Sequence, residues 1–143
     1  ESFEMPPGRG DIISLNKVKI IDDSYNANPE SVKAALDHLS CFKKYRKIFV
    51  FGDMKELGDN KESFHSEIGQ YADGKTDILF TIGKLAKNAQ SNSNNFALSL
   101  HFNDNFSLLE KLTELLTDGD IILIKGSRSM QLDQLIDELK NVK

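Results

Sequence analysis

A single cysteine, Cys41, is all the chain has, so neither a disulfide framework nor a cysteine-based metal site can be built from its 143 residues. A lone thiol in such a chain is expected to sit buried as a small apolar side chain. No apolar run approaches the roughly 20 residues that a membrane-spanning helix needs; segments such as Ile48–Phe51 are as long as they get. Basic excess is missing too. The formal net charge is −4, which leaves no broad positive field for a nucleic-acid backbone. The opening Glu1-Ser2-Phe3-Glu4-Met5-Pro6-Pro7 has neither the basic start nor the apolar stretch of a signal peptide. It also lacks an initiator Met, as expected of a piece of a longer protein. Gly-x-x-x-x-Gly-Lys-Ser/Thr and Gly-x-Gly-x-x-Gly are both absent, so the usual glycine cradle for phosphates is not encoded. Internal repeats and low-complexity segments are absent as well. No second histidine stands at metal-ligand spacing from His65, which argues against a histidine metal site.

What remains is ordinary globular material, 39% apolar and 28% charged, and long enough for one domain with a proper core. Pro6-Pro7-Gly8-Arg9-Gly10 reads as a linker (residues 1–10), and the domain as residues 11–143. Two β-rich runs, Asp11–Leu15 and Val18–Asp22, are joined by Asn16-Lys17, the length of a tight hairpin. Asn28 then offers an N-cap, Pro29 a first helical residue and Glu30 a charge suited to the helix dipole. Val32, Ala35, Leu36 and Leu39 continue at helical spacing.

Strand and helix alternate from there. Strands are predicted at 47–51, 77–82, 97–102 and 120–124. Helices are predicted through Phe64–Ala72, Leu85–Ala89, Phe106–Leu116 and Leu132–Leu139, with a polar surface loop at Gln90–Asn95. The strands are apolar on both faces, the mark of a parallel sheet covered on both sides. The expected fold is α/β: a Rossmann-like three-layer sandwich of about six strands, five parallel and one antiparallel from the hairpin.

Ligands of an open parallel sheet bind at the carboxyl ends of its strands, and three polar loops fall there. In Asp22–Pro29, Asp23 can accept from vicinal hydroxyls, Asn26 can donate to and accept from a base edge, and Tyr25 offers an aromatic face. The same Asx residues can equally serve only to build the turn and cap the helix. In Gly52–Gly58, Asp53 or Glu56 can meet a cation, or the loop can be simply solvated; His65 on the next helix can face it. Lys125-Gly126-Ser127-Arg128-Ser129 gathers two cations and two hydroxyls. They can grip an anionic group, with Arg128 bidentate to a carboxylate, or stand in solvent.

Taken together, Ile21–Pro29, Gly52–Gly58 and Lys125–Ser129 resemble the three signatures of the C-terminal domain of the Mur-type ligases that add D-alanyl-D-alanine in cell-wall synthesis. They come in that family's order, after a Pro-Gly-Arg linker and with His65 following the second. The resemblance implies an enzyme of three domains. ATP phosphorylates the carboxylate of UDP-N-acetylmuramoyl-tripeptide, and the amine of D-alanyl-D-alanine then displaces phosphate. By the resemblance this domain closes on a central ATPase domain that holds most of the ATP and Mg²⁺, and carries no catalytic residue of its own. It further implies that Arg9 and Asp23 lie by the ATP ribose, Asn26 and Asn28 near the adenine, and Lys125, Ser127 and Arg128 toward the peptide substrates. Glu56 and His65 are candidates for lining the cleft between domains. The fragment alone is expected to be inactive, and the whole enzyme cytoplasmic and monomeric.

Three other readings stand beside it. One is a different amide ligase of the same superfamily, Mur-type or folylpolyglutamate-type, against which the Asn-Ala-Asn-Pro string argues. Another is a non-catalytic interaction module. A phospho-receiver domain is the third; it needs an Asp ending the middle strand, where this chain has Thr81-Ile82-Gly83.

Overall fold

A computed structural model describes residues 10–90 and 95–141. One sheet of six strands runs through the molecule in the order β1-β2-β6-β3-β4-β5. The strands are β1 (Asp11–Leu15), β2 (Val18–Asp23), β3 (Arg46–Gly52), β4 (Ile78–Ile82), β5 (Leu98–Phe102) and β6 (Asp120–Lys125). The helices are α1 (Pro29–Ser40), α2 (Lys61–Ala72), the short α3 (Lys87–Gln90), α4 (Asn105–Leu115) and α5 (Leu132–Lys140). Only β1 and β2 pair antiparallel, from Asp11 opposite Asp22 to Leu15 opposite Val18. Their two-residue loop closes because Asn16 takes φ 54°, a left-handed conformation that asparagine tolerates. All other pairings are parallel.

Alternate residues of the central strands feed two separate cores, as the two-residue period of a strand requires. Ile21, Phe49, Phe51, Leu79, Ile121 and Leu123 pack with Val32, Leu36, Leu39, Ile68 and Ala89 of α1, α2 and α3. Ile20, Ile48, Val50, Phe80, Ile122 and Ile124 pack with Leu108 and Leu112 of α4 and with Leu132, Leu135, Ile136 and Leu139 of α5. Each Val, Leu, Ile or Phe among them contributes about 1.5–3 kcal/mol on full burial. Chain entropy offsets most of that total.

The wiring matters for function. From β2 the chain moves outward through β3, β4 and β5, and its helices α1 to α3 lie on one face. Helix α4 then returns on the other face and delivers β6 between β2 and β3. At its carboxyl end β6 therefore has neighbours whose helices leave on the opposite side. That is the topological switch point where open α/β sheets open a crevice. Taken alone, the five parallel strands run 1-5-2-3-4 in chain order, unlike the 2-1-3-4-5 order of receiver domains. The receiver reading is excluded on topology as well as on residue type.

Helix α1 begins as its sequence requires. Asn28 Oδ1 accepts from Ser31 N at 2.9 Å, and Ser31 Oγ accepts from Asn28 N at 3.1 Å, a reciprocal cap that contributes about 1 kcal/mol. Two expectations are corrected. Cys41 is exposed; it is the C-cap of α1, just past the last turn that packs on the sheet. The helix expected through Leu85 shrinks to Lys87–Gln90, because residues 84–86 form a turn held by a carboxylate described below. No helix among the described residues is long and apolar enough to cross a membrane.

Candidate functional site

The loops after β2, β6 and β3 belong to three neighbouring strands, so Asp22–Pro29, Lys125–Ser129 and Gly52–Gly58 share one rim. The chain also enters there: Gly10 N donates to Asp22 O at 2.7 Å. Arg9 lies outside the described residues.

An ion pair sits at the centre of the rim. Asp23 and Lys125 are opposite each other in the β2–β6 register. Lys125 Nζ stands 3.1 Å from Asp23 Oδ2 and donates to Asn26 O at 3.0 Å. Its ammonium is buried, and that burial pushes the Lys125 pKa below the ordinary lysine value, with Asp23 pulling the other way. Desolvation outweighs the attraction. The Asp23 side chain keeps 21% of its surface exposed, so the carboxylate can accept further hydrogen bonds from outside. The neighbouring Asp22 is spent on the turn: Oδ1 accepts from Ser24 N and from Ser24 Oγ. Asn26 Oδ1 accepts from Ala27 N at 2.9 Å, which leaves its amide hydrogens as what it offers outward.

Beyond β6 the chain makes one 3-10 turn, Arg128–Met130, before α5. Gln131 links the two at φ 58°, a strained value of the kind that gathers at functional sites. The Arg128 guanidinium lies 5.0 Å from the centre of the Tyr25 ring, a cation–π contact tying the first and third loops together. Both residues, with Asp22, Ser24, Gln131, Asp133 and Gln134, line an open cleft of about 370 Å³. Ser127 is buried; its Oγ and that of Ser129 are 2.9 Å apart.

The Gly52–Gly58 loop is held from three sides. Asp53, expected as a cation partner, instead turns inward: its Oδ1 accepts from Leu85 N at 3.0 Å and Ala86 N at 2.7 Å, fixing the turn after β4. Gly83 packs against that carboxylate at φ 107°, where a Cβ would run into it. The backbone carbonyl of Asp53 accepts from Ser127 N at 2.9 Å, which stitches the loop to the end of β6. Gly126 and Gly52 allow this closeness; a Cβ on Gly126 would come 3.1 Å from Gly52 Cα and 2.7 Å from Leu132 Cδ1. Met54 N donates to His65 Nε2 at 2.9 Å. Lys55 and Glu56 face solvent, Glu56 at φ 62°.

The structure thus brings Asp23, Asn26, Ser127, Arg128 and Lys125 onto one rim, with Glu56 on the adjoining loop. Asn28 has its Oδ1 committed to capping α1. His65 does not line a cleft: it is fully buried, both ring nitrogens bonded to backbone. Its reassignment has a physical reason, since residue 65 falls on the core face of α2 together with Ile68 and Ala72. Sequence reasoning missed the Tyr25–Arg128 stack and the inward role of Asp53, which join residues far apart in the chain. Gln131 carries no sequence signal, because glutamine has no left-handed preference.

A switch-point crevice edged by a partly exposed carboxylate, a stacked guanidinium and exposed amides stands where an open α/β sheet can take a ligand. The chain belongs to the Mur ligase family: residues 8–128 match the model described as Mur ligase, glutamate ligase domain. It is similar to UDP-N-acetylmuramoyl-tripeptide–D-alanyl-D-alanine ligase of Bacillus subtilis, 39% identical over 128 residues, covering 85% of this chain and 28% of that protein. The ligase of the same name from Buchnera aphidicola subsp. Baizongia pistaciae is 40% identical over 142 residues, covering 96% of this chain and 30% of its own length. Among solved structures, the MurF ligase of Thermotoga maritima in complex with ADP superposes at a TM-score of 0.85 with 27% identity, covering 98% of this chain and 32% of that one. The chain therefore spans under a third of these relatives, and corresponds to the C-terminal domain of MurF-type ligases.

Proposed function

We propose that this domain is the C-terminal part of an ATP-dependent ligase that joins D-alanyl-D-alanine to UDP-N-acetylmuramoyl-tripeptide in peptidoglycan synthesis. ATP transfers its terminal phosphoryl group to the tripeptide carboxylate, giving an acyl phosphate and ADP. The dipeptide amine attacks the acyl carbon, an amide forms, and phosphate leaves with the broken C–O bond. In this reading residues 1–10 are the linker and residues 11–143 the domain, which closes its rim on a central ATPase domain. Arg9, Asp23, Asn26 and Asn28 face the nucleotide, Asp23 through its exposed oxygen and the asparagines through amide hydrogens. Lys125, Ser127 and Arg128 face the peptide substrates, and Glu56 borders the cleft. The whole enzyme works as a cytoplasmic monomer.

The observation that supports this best is the Asp23–Lys125–Asn26 cluster at the switch point, on the side where the chain enters. The domain's own hydrogen-bonding groups fit part of a nucleotide, the Asp23 carboxylate accepting from the ribose and the asparagine amides meeting the base edge, and no glycine phosphate cradle is encoded. Among the described residues no group of three or more His, Cys, Asp or Glu side chains converges as a metal site. In this reading Mg²⁺ is held with the phosphates by the central domain.

The full-length enzyme is expected to release phosphate with D-alanyl-D-alanine and not with lysine, diaminopimelate or glutamate. The reverse preference would assign it to another branch. The 143-residue chain alone is expected to hydrolyse no ATP and to bind it on the order of millimolar, or ~4 kcal/mol. Amide shifts saturating at micromolar ATP would contradict that division of labour.

A further inference from the structure

His65 is a buried titratable group for which the proposed reaction has no use, and its surroundings dictate its chemical state. Nδ1 lies 2.6 Å from Lys61 O, a carbonyl that can only accept. Nε2 lies 2.9 Å from Met54 N, whose hydrogen can only be donated. The ring must therefore carry its proton on Nδ1 and be neutral, accepting at Nε2. Any second proton would set an N–H against an N–H. The ring is fully buried against Phe51, 5.6 Å between centroids. Its neighbour Phe51 carries no charge. Of the charged groups acting on it, both on the loop, Asp53 favours protonation and Lys55 opposes it; burial prevails and lowers the pKa.

What this ring holds leads to the site. Met54 follows Asp53, whose carbonyl accepts from Ser127 N and whose carboxylate fixes Leu85 and Ala86. We propose that His65 is a positioning residue for the rim: as a neutral Nδ1–H imidazole it pins Met54, and through Asp53 it holds the Ser127 turn and the Glu56 loop where the substrates meet them. Protonation releases the pin, so acid unfastens the rim before it unfolds the domain. The inference rests on the proposed function for its catalytic consequence, but not for the pin itself.

Two substitutions separate the bonds. In His65→Gln the amide oxygen can reach the place of Nε2 and accept from Met54 N, keeping the pin without a titrating group. In His65→Asn the shorter amide can serve Lys61 O but cannot reach Met54. In the full-length ligase, His65→Asn is expected to lower kcat/KM for D-alanyl-D-alanine about 10- to 100-fold, the scale on which small misplacements act. His65→Gln should stay within a few-fold of wild type and lose the acid limb of the pH profile that wild type shows. Equal losses in both variants, or an acid limb unchanged in His65→Gln, would overturn the proposal. A second readout is independent of activity: ¹⁵N-histidine spectra of the full-length protein, with the His65 signal identified by its loss in His65→Gln. They should show a protonated Nδ1 and a bare Nε2 that persist well below pH 6.5, the ordinary histidine value. An Nε2–H tautomer, or titration near that value, sinks the pin even if ligation is confirmed. A correct tautomer in an enzyme that ignores D-alanyl-D-alanine would instead sink the function and leave the pin standing.

Discussion

Strand β6 begins and ends in an ion pair, and the two are built differently. At its start Asp120, 1% exposed, takes a bidentate grip from Arg46, Nε and Nη2 each at 2.8 Å. Thr117 N adds a third hydrogen bond at 2.9 Å, and Arg46 also donates to Leu115 O at 3.1 Å. Three hydrogen bonds thus reach that carboxylate from inside the protein, and almost none of it faces outward. At the other end, among the described residues, Asp23 receives Lys125 at one oxygen and keeps a fifth of its side-chain surface open. A pair that closes a fold is saturated; a pair that serves a site holds capacity in reserve. The Arg46 pKa is raised, its hydrogen bond to Asp120 leading, while the Lys125 pKa is lowered by burial. One pair is favourable where it stands, and the other is maintained against a desolvation cost.

Removing one partner from each pair should separate the roles most sharply. Arg46→Ala strands a buried carboxylate with a single backbone donor, and is expected to cost about 3 kcal/mol, at the low end for a broken buried pair because Arg46 is partly exposed. Denaturant unfolding would measure it. Ligation per folded molecule in the full-length enzyme should be unchanged. Lys125→Met should do the opposite. An apolar stem of similar length suits the buried position, so stability should stay within about 1 kcal/mol. Ligation should fall on the order of 100-fold, because Asp23 loses its orientation at the rim. Similar effects of the two variants on both readouts would erase the distinction drawn between the ends of β6.

How far the sequence alone reaches follows the same division. Local signals were legible: the Asn28–Pro29 helix start, the Asn16-Lys17 hairpin and the apolar strands all act within a few residues. The three rim loops were legible as loops, because polar and glycine-rich segments interrupt apolar strands. Their common rim was legible too, since parallel strands end on one side; that they leave three neighbouring strands was not. It depends on β6 entering between β2 and β3, a decision made by packing across some hundred residues. The same distance hid Arg46–Asp120 and Asp23–Lys125. His65 shows a subtler limit: its helix was plain, but the choice between core and cleft turned on a partner, the Met54 amide, that every residue type supplies alike. Cys41 failed in the other direction, since buried cysteine is a statistical habit and its place at the end of α1 overrode it.

The smallest expected effect tests the electrostatic half of the comparison. Lys125 has its pKa depressed in the folded chain, with burial the leading cause, relative to an ordinary value of 10.5. Between the two values an unfolded chain keeps a proton on this lysine that the folded chain has released. Stability should therefore rise with pH across that window, by at most about 1.4 kcal/mol per pH unit for one proton. Below the window both states are charged, the slope from this group is zero, and the desolvation cost is carried in full. Lys125→Met should remove that alkaline rise and nothing else from the stability–pH curve, whereas Arg46, always charged, should leave it untouched. An alkaline slope that persists in Lys125→Met would mean that the ammonium is better accommodated than its burial implies. The pair at the rim would then be saturated like the one at the opposite end.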